Sequence, residues 1–297
     1  MPVPPLPPDP SFDPVTQLDE VTTRVRAPNP SPMTLEGTNT YLLGAAGSGE
    51  LALVDPGPEV AEHRQALEAA VAARDAEVAV VVLTHHHADH AEAAGWAAAW
   101  GARLLCHSPA LVRRAAGGAA LAGVTIETVA DGDRVVCGGV SLQALHTPGH
   151  TSDHLCLRVR DTGVVLTGDH VLGRGTTVVA WPDGDMAAYV ASLRRLAALP
   201  ATALHPGHGP VLTDPAATLR GYLDHRAERE RQILDALSAG DRTPAAVVTR
   251  VYANVDPVLH PAAERTVRAS LRKLVDEGRV RICAPADPDD DEELHRV

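Results

Sequence analysis

Val78-Ala79-Val80-Val81-Val82-Leu83 runs directly into Thr84-His85-His86-His87-Ala88-Asp89-His90. An uninterrupted apolar run of this length marks a strand covered on both faces. The polar segment after it then occupies a strand-to-helix turn. Along extended backbone alternate side chains share a face, so His85 and His87 point one way and His86 the other. Asp89 and His90 fall at the helix start, aimed at a second spot close by. Imidazole mixed with carboxylate suits zinc, manganese or iron and argues against calcium. The plain alternative is an exposed, histidine-rich polar turn. The strand-turn-helix context makes it the weaker reading.

Three later turns supply more donors of the same kinds. Thr147-Pro148-Gly149-His150-Thr151 follows the strand-like SLQALH, Thr167-Gly168-Asp169-His170 follows VVL, and His205-Pro206-Gly207-His208-Gly209 follows ATAL. Each places a glycine beside a ligand candidate, which lets backbone come close to a bound ion. A single PGH is usually only a turn. Ligands collected at the ends of several strands are how α/β folds build sites.

The rest of the chain sets bounds. It has 297 residues, four cysteines, fifteen histidines and a formal net charge of −12. Cys106, Cys137, Cys156 and Cys283 form no CxxC pair, so neither a disulfide framework nor a thiolate zinc site is expected. With 45% apolar but only 3% aromatic residues, the core must be built from Ala, Val and Leu. The overall acidity weighs against a nucleic-acid partner. No apolar run is long enough to span a bilayer, so no membrane partner is expected. The opening MPVPPLPPDPSFDP lacks the pattern of a targeting signal, and the simplest expectation is a soluble cytoplasmic protein.

Four regions are expected. Residues 1–18 read as a proline-rich arm and residues 19–214 as alternating strands and helices. Residues 215–285 read as a long helix followed by helix, helix and strand, a winged-helix-like order. Residues 286–297 (ADPDDDEELHRV) read as a disordered acidic tail.

THHHADH, TPGHT, TGD and PGHG, in this order, resemble the metallo-β-lactamase superfamily over about residues 34–214. The resemblance implies an α/β fold, an αββα metallo-β-lactamase sandwich, here with a C-terminal helical, winged-helix-like domain. It implies two divalent metal ions, zinc first, manganese or iron otherwise. By position, His85, His87 and His150 match the ligands of the first ion, and Asp89, His90 and His208 those of the second. Asp169 matches the bridging carboxylate, and Asp55 in LVDPG an aspartate that orients a ligand imidazole. His146 and His205 are candidates for the same supporting task. Two such ions about 3.5–4 Å apart can hold a bridging hydroxide as nucleophile. Asp89, His90 and Asp169 would then be the catalytic set of a binuclear hydrolase.

For the substrate, single-stranded RNA is the reading that fits most residues, and thioester hydrolysis is the alternative. Leu35-Glu36-Gly37-Thr38-Asn39-Thr40-Tyr41-Leu42 and the C-terminal region are similar to the animal mitochondrial endoribonuclease branch of that superfamily, which implies single-stranded RNA. Related members are thioesterases acting on acyl-carrier proteins, and the metal motifs are also similar to those of glyoxalase-II-like enzymes, which cleave a small-molecule thioester. A non-catalytic metal-binding module ranks last, because every ligand position is filled. Arg265, Arg268 and Arg272 share one face of the helix expected near 261–277 and are candidate phosphate contacts. A solvated face with pairs such as Glu264 with Arg268 is the simpler explanation, because the net +3 of residues 215–285 is modest for a nucleic-acid domain. The C-terminal unit is also a candidate homodimer surface.

Overall fold

The computed structural model describes residues 13–116, 121–283 and 293–296. These residues divide into two compact units. The first runs to Thr147 and takes in Asp153–Thr176 and Pro200–Pro215; the second comprises Pro148–Ser152, Thr177–Leu199 and the chain from Ala216 on. The expected boundary is 214/215; the units change over at 215/216 and also at 147/148, 152/153, 176/177 and 199/200. The segment 177–199, read from sequence as part of the metal-binding domain, belongs to the second unit.

The first unit is built on two sheets. Strands β1 (Val15–Gln17), β2 (Thr22–Arg26), β3 (Asn39–Leu43), β4 (Glu50–Val54), β5 (Glu77–Val82), β6 (Arg103–Cys106) and β7 (Ile126–Thr128) lie side by side in chain order. Pairing is antiparallel from β1 to β4 and parallel from β4 to β7. The second sheet holds β8 (Arg134–Cys137), β9 (Val140–His146), β10 (Leu155–Val159), β11 (Val165–Gly168) and β12 (Leu204–Pro206) in reverse order. Its one parallel pair is β11 with β12.

Period-two alternation explains why β3 to β5 read as continuous apolar runs. Leu42, Leu51, Leu53, Val81 and Leu83 enter one core with Leu67, Trp96 and Leu104. Their neighbours Tyr41, Leu43, Val54, Val80 and Val82 enter the other, against Leu142, Leu155, Leu157 and Leu166 of the second sheet. Both faces of these strands are covered, so neither face has a polar register. Helix α1 (Ala61–Ala72) and the single turns α2 (Ala88–Ala91) and α3 (Trp96–Ala99) supply the first core's far side, with α4 (Pro109–Ala115) following β6.

On α1, His63 is fully buried and its Nε2 lies 2.9 Å from Thr40 Oγ1. Burial pushes this imidazole down to about 4. A base depressed in the folded state is neutral there and charges first on unfolding. Its contribution is thus intact above the ordinary histidine value of about 6.5 and is lost as pH falls toward 4, by up to about 3 kcal/mol. Urea midpoints at pH 7 and pH 4.5 should show a smaller pH loss for His63→Gln than for the parent chain; equal losses would show that His63 does not drive the acid sensitivity.

The second unit is mostly helical. It contains α5 (Met186–Ala197), α6 (Pro215–Ser238), α7 (Pro244–Val251), α8 (His260–Asp276) and the antiparallel pair β13 (Val280–Cys283) and β14 (Glu293–Arg296). The side chains of Asp185 and Thr243 cap α5 and α7, accepting from Ala188 N and Ala246 N. Ile233, Leu234 and Leu237 of α6 pack with Val247, Val248, Val267, Leu271, Leu274 and Val280. The order α6, α7, α8, β13 is the expected one; the second wing strand, β14, is not.

Both termini differ from expectation. Within the supposed arm, Val15–Gln17 is strand β1 against β2. Within the supposed disordered tail, Glu293–Arg296 is strand β14, with Leu294 buried in the core of the second unit. The remainder of the arm before residue 13, and residues 286–292 and 297 of the tail, lie outside the described residues.

Candidate metal centre

The centre begins with Asp55, just beyond β4, and Thr84, just beyond β5. Asp55 is buried and holds a left-handed backbone, φ 54°. Its Oδ1 accepts the Thr84 backbone N–H at 2.7 Å, and its Oδ2 accepts the Thr84 hydroxyl at 2.7 Å and His90 Nδ1 at 2.8 Å. One carboxylate thus ties two parallel strand ends to the helix that follows. With its hydroxyl proton directed to Asp55, Thr84 Oγ1 can accept from His85 Nδ1 at 3.0 Å. Both bonds fix tautomers, leaving the Nε2 lone pairs of His85 and His90 for a ligand.

Those lone pairs converge on other donors. His85 Nε2 lies 3.0 Å from His87 Nδ1, because the backbone stays extended through His87 before α2 starts. His86 turns the other way, as alternation requires, and its Nδ1 meets Asp153 Oδ1 at 2.8 Å. His90 Nε2 and His208 Nε2 are 3.2 Å apart. Asp169 Oδ1 stands 3.3 Å from each of them, and Asp89 Oδ2 lies 3.1 Å from His208 Nε2. The donor atoms of Asp89, His90, Asp169 and His208 all fall within 4.8 Å of one another, and those of His85, His87 and Asp169 do the same. Asp169 is common to both sets.

The electrostatics identify this as a site for positive charge. Burial works against protonation of His90, but the carboxylates of Asp169, Asp89 and Asp55 outweigh it and raise the imidazole well above its usual range. Burial opposes His208 as well, yet Asp169 brings it up to about 9. Burial would raise both acids; the His90 and His208 imidazoles instead hold Asp89 down to about 2 and Asp169 well below the carboxylate range. Without a cation the cluster draws in protons. A divalent ion satisfies the same carboxylates and leaves the imidazoles neutral as ligands. Donor types, convergence and field therefore fit metal binding.

Glycine is required where the donors crowd. A Cβ on Gly207 would fall 2.7 Å from both Asp169 Oδ1 and His90 Cε1. On Gly168, φ 45°, it would meet His154 Nε2 at 2.7 Å. The 206–209 turn is clamped by the conspicuous GTNTYL stretch. Asn39 Nδ2 donates to the carbonyls of Pro206 and Gly209, both at 2.9 Å, and the Tyr41 hydroxyl donates to Pro206 O at 2.7 Å. Those residues position His208.

Other sequence candidates stand elsewhere. His150 lies on the 148–152 turn of the second unit, where Gly149 abuts Tyr189 so closely that a Cβ would reach 2.3 Å from its Cα. His150 Nδ1 donates to Val178 O at 2.7 Å, which leaves Nε2 for a ligand. His205 stacks on Tyr41, with centroids 5.6 Å apart, and burial pushes it down to about 4. It lies within β12, and its ring packs on Tyr41 of β3. His146 stacks on His107 at 4.0 Å. The supporting histidine that sequence reading missed is His154. It is fully buried, its Nε2 accepts the Asp169 backbone N–H at 3.2 Å, and its Nδ1 lies 2.9 Å from Thr147 Oγ1. Its only sequence signal was its place four residues after His150, directly before β10. On α8, Arg268 pairs with Glu264 and Arg272 with Asp276, each four residues apart on an exposed face, and Arg265 is exposed.

A two-sheet α/β sandwich with histidines and aspartates gathered at strand ends defines a class of metal-dependent hydrolases. The chain belongs to the metallo-beta-lactamase superfamily: residues 33–208 match that family, and residues 243–282 match the beta-lactamase associated winged helix domain. A beta-lactamase-like protein 2 homolog from Caenorhabditis elegans is 34% identical over 90% of this chain and 88% of its own length. A protein from Aspergillus chevalieri named atrochrysone carboxyl ACP thioesterase is 33% identical, covering 93% of this chain and 86% of its own. A metallo-beta-lactamase family protein from Thermus thermophilus superposes with a TM-score of 0.78 at 25% identity, over 95% of this chain and all of that one. Among the described residues no helix is long and apolar enough to cross a membrane.

Proposed function

We propose that this metallo-beta-lactamase-fold hydrolase is a dinuclear zinc enzyme that cleaves thioesters of acyl groups, on a carrier protein or a small thiol. The observation that carries the metal reading is the pair of donor sets joined by Asp169. His150 completes the first set. In support, it stands where the resemblance puts the third ligand, and its Nδ1 bond to Val178 O leaves Nε2 for an ion. All-imidazole and carboxylate donors favour zinc, with manganese or iron as the alternatives. Metal bound there would polarise the scissile carbonyl and lower the pKa of water.

The protein's own part is positioning. Asp55 holds His90 and Thr84, His154 holds the backbone of Asp169, and Asn39 with Tyr41 holds the turn that carries His208. Asp89 and Asp169 stay ionised at neutral pH, so the centre keeps its negative charge.

The thioester class is supported by the name of the fungal relative and by a match over 93% of this chain and 86% of that one. Single-stranded RNA is the second reading, favoured by the net +3 of residues 215–285 and by Arg265, which has no ion-pair partner among the described residues. Against it, Arg268 and Arg272 already have carboxylate partners. Cys106, Cys137 and Cys156 are buried and form no disulfide among the described residues, which suits a reducing, cytoplasmic setting.

Metal analysis followed by a substrate panel tests the reading. The purified chain should carry two zinc equivalents and hydrolyse an acyl-carrier thioester or S-lactoylglutathione. Chelator should abolish turnover and zinc should restore it. Chelator-resistant hydrolysis would overturn the metal assignment. Cleavage of single-stranded RNA with both thioesters untouched would replace the substrate class.

A further inference from the structure

The second unit contains a cavity of about 460 Å³ walled by α5, α6 and α8. Met186, Val190 and Leu223 give it an apolar side, while five cationic side chains reach it: Arg194, Arg226, Arg229, Lys273 and Arg279. Two of these are neutralised. Lys273 and Arg279 share Glu230 and Glu277. The remaining three are not, and Asp224 is the only further carboxylate in the wall.

Arg226 is the decisive residue. It is 93% buried on α6, yet no carboxylate pairs with it among the described residues. Its Nη2 donates to Thr177 O, its guanidinium lies 4.8 Å from the centre of the Tyr189 ring, and its Nε has no hydrogen-bond partner. Burying a guanidinium without a counter-charge or a full set of acceptors is expensive. Arg229, three residues on along the same helix face, likewise bonds only neutral acceptors, at Gln232, Val251 O and His225, and lies over Tyr252 at 4.7 Å. Arg194, in the last turn of α5, is exposed and has no ion pair among the described residues.

We propose that this cavity is a binding site for a small phosphate ester, its phosphate held by Arg226, Arg229 and Arg194 and its organic body against Met186, Val190 and Tyr252. Three unpaired guanidiniums against Asp224 leave a surplus of two positive charges, which matches the charge of a phosphate monoester near neutral pH. Guanidinium forks suit phosphate oxygens better than a point charge does. The volume is that of an ordinary small-ligand pocket. The site uses residues of the second unit alone and does not depend on which substrate the metal centre cleaves.

Calorimetry of the full chain tests it, with inorganic phosphate and AMP as probes and adenosine and chloride as controls at matched ionic strength. Phosphate also binds metal centres, so the titration is run on His90→Ala as well as on the parent. The expected result is saturable binding of phosphate and AMP that survives His90→Ala. Arg226→Gln should abolish it, and Arg194→Gln, at an exposed position that cannot unfold the core, should weaken it about tenfold, the usual scale for one charge-assisted hydrogen bond. The proposal is overturned if His90→Ala binds neither probe, or if Arg194→Gln and Arg226→Gln both bind them as the parent does.

Discussion

Asp169→Asn should lower turnover by about three orders of magnitude, since a Lewis-acid metal contributes several kcal/mol and each 1.36 kcal/mol is tenfold. The substitution preserves shape but removes the one carboxylate shared by both donor sets. In the parent, burial pushes the Asp169 carboxyl up, and His208 and His90 outweigh it and hold it well below the carboxylate range. An amide there can present one neutral oxygen, so neither set retains its anionic link. At least one of two metal equivalents should be lost. The backbone bond from Asp169 N to His154 does not involve the side chain, so the β11 turn should survive. Elemental analysis alongside kcat checks this, with a thermal melt to show the chain is folded. A folded variant holding two equivalents at parental turnover would remove Asp169 from the centre.

The site was legible from sequence because each donor sits on a short turn directly after an apolar strand. Extended backbone then decides direction, as His85 and His87 on one side and His86 on the other confirm. His154 escaped because nothing local distinguishes it. Its importance arises only when β10 pairs with β9 and β11, bringing it between Thr147 and the Asp169 backbone. His146 and His205 are candidate supporting donors by proximity in sequence; the structure shows His146 stacked on His107 and His205 on Tyr41. Strands β1 and β14 carry few apolar residues and exist because a neighbouring strand, β2 or β13, stands ready to pair with each. The assignment of 177–199 to the second unit was likewise hidden. It depends on bonds such as Val179 N to Thr266 Oγ1, 87 residues apart, which no local pattern reports.

Asp55→Asn should behave differently from Asp169→Asn, and the difference is diagnostic. Asp55 is in neither donor set, and its three acceptor bonds go to Thr84 N, Thr84 Oγ1 and His90 Nδ1. An asparagine must turn an N–H toward one of these donors, leaving at least one buried group unsatisfied at a cost of about 1–3 kcal/mol in stability. It also ceases to fix the His90 tautomer. Loss of such a support typically weakens metal binding by about 10–100-fold. Because Asp55 makes no contact that substrate could replace, the defect should lie in zinc affinity and should fade when zinc is raised well above its new dissociation constant. Turnover of Asp55→Asn should thus be low at limiting zinc and largely recovered at saturating zinc, whereas Asp169→Asn should stay inactive at both. Full activity of Asp55→Asn at limiting zinc would show that the Asp55–His90 bond does not set metal affinity. No recovery at saturating zinc in a folded variant would place Asp55 in the chemistry itself.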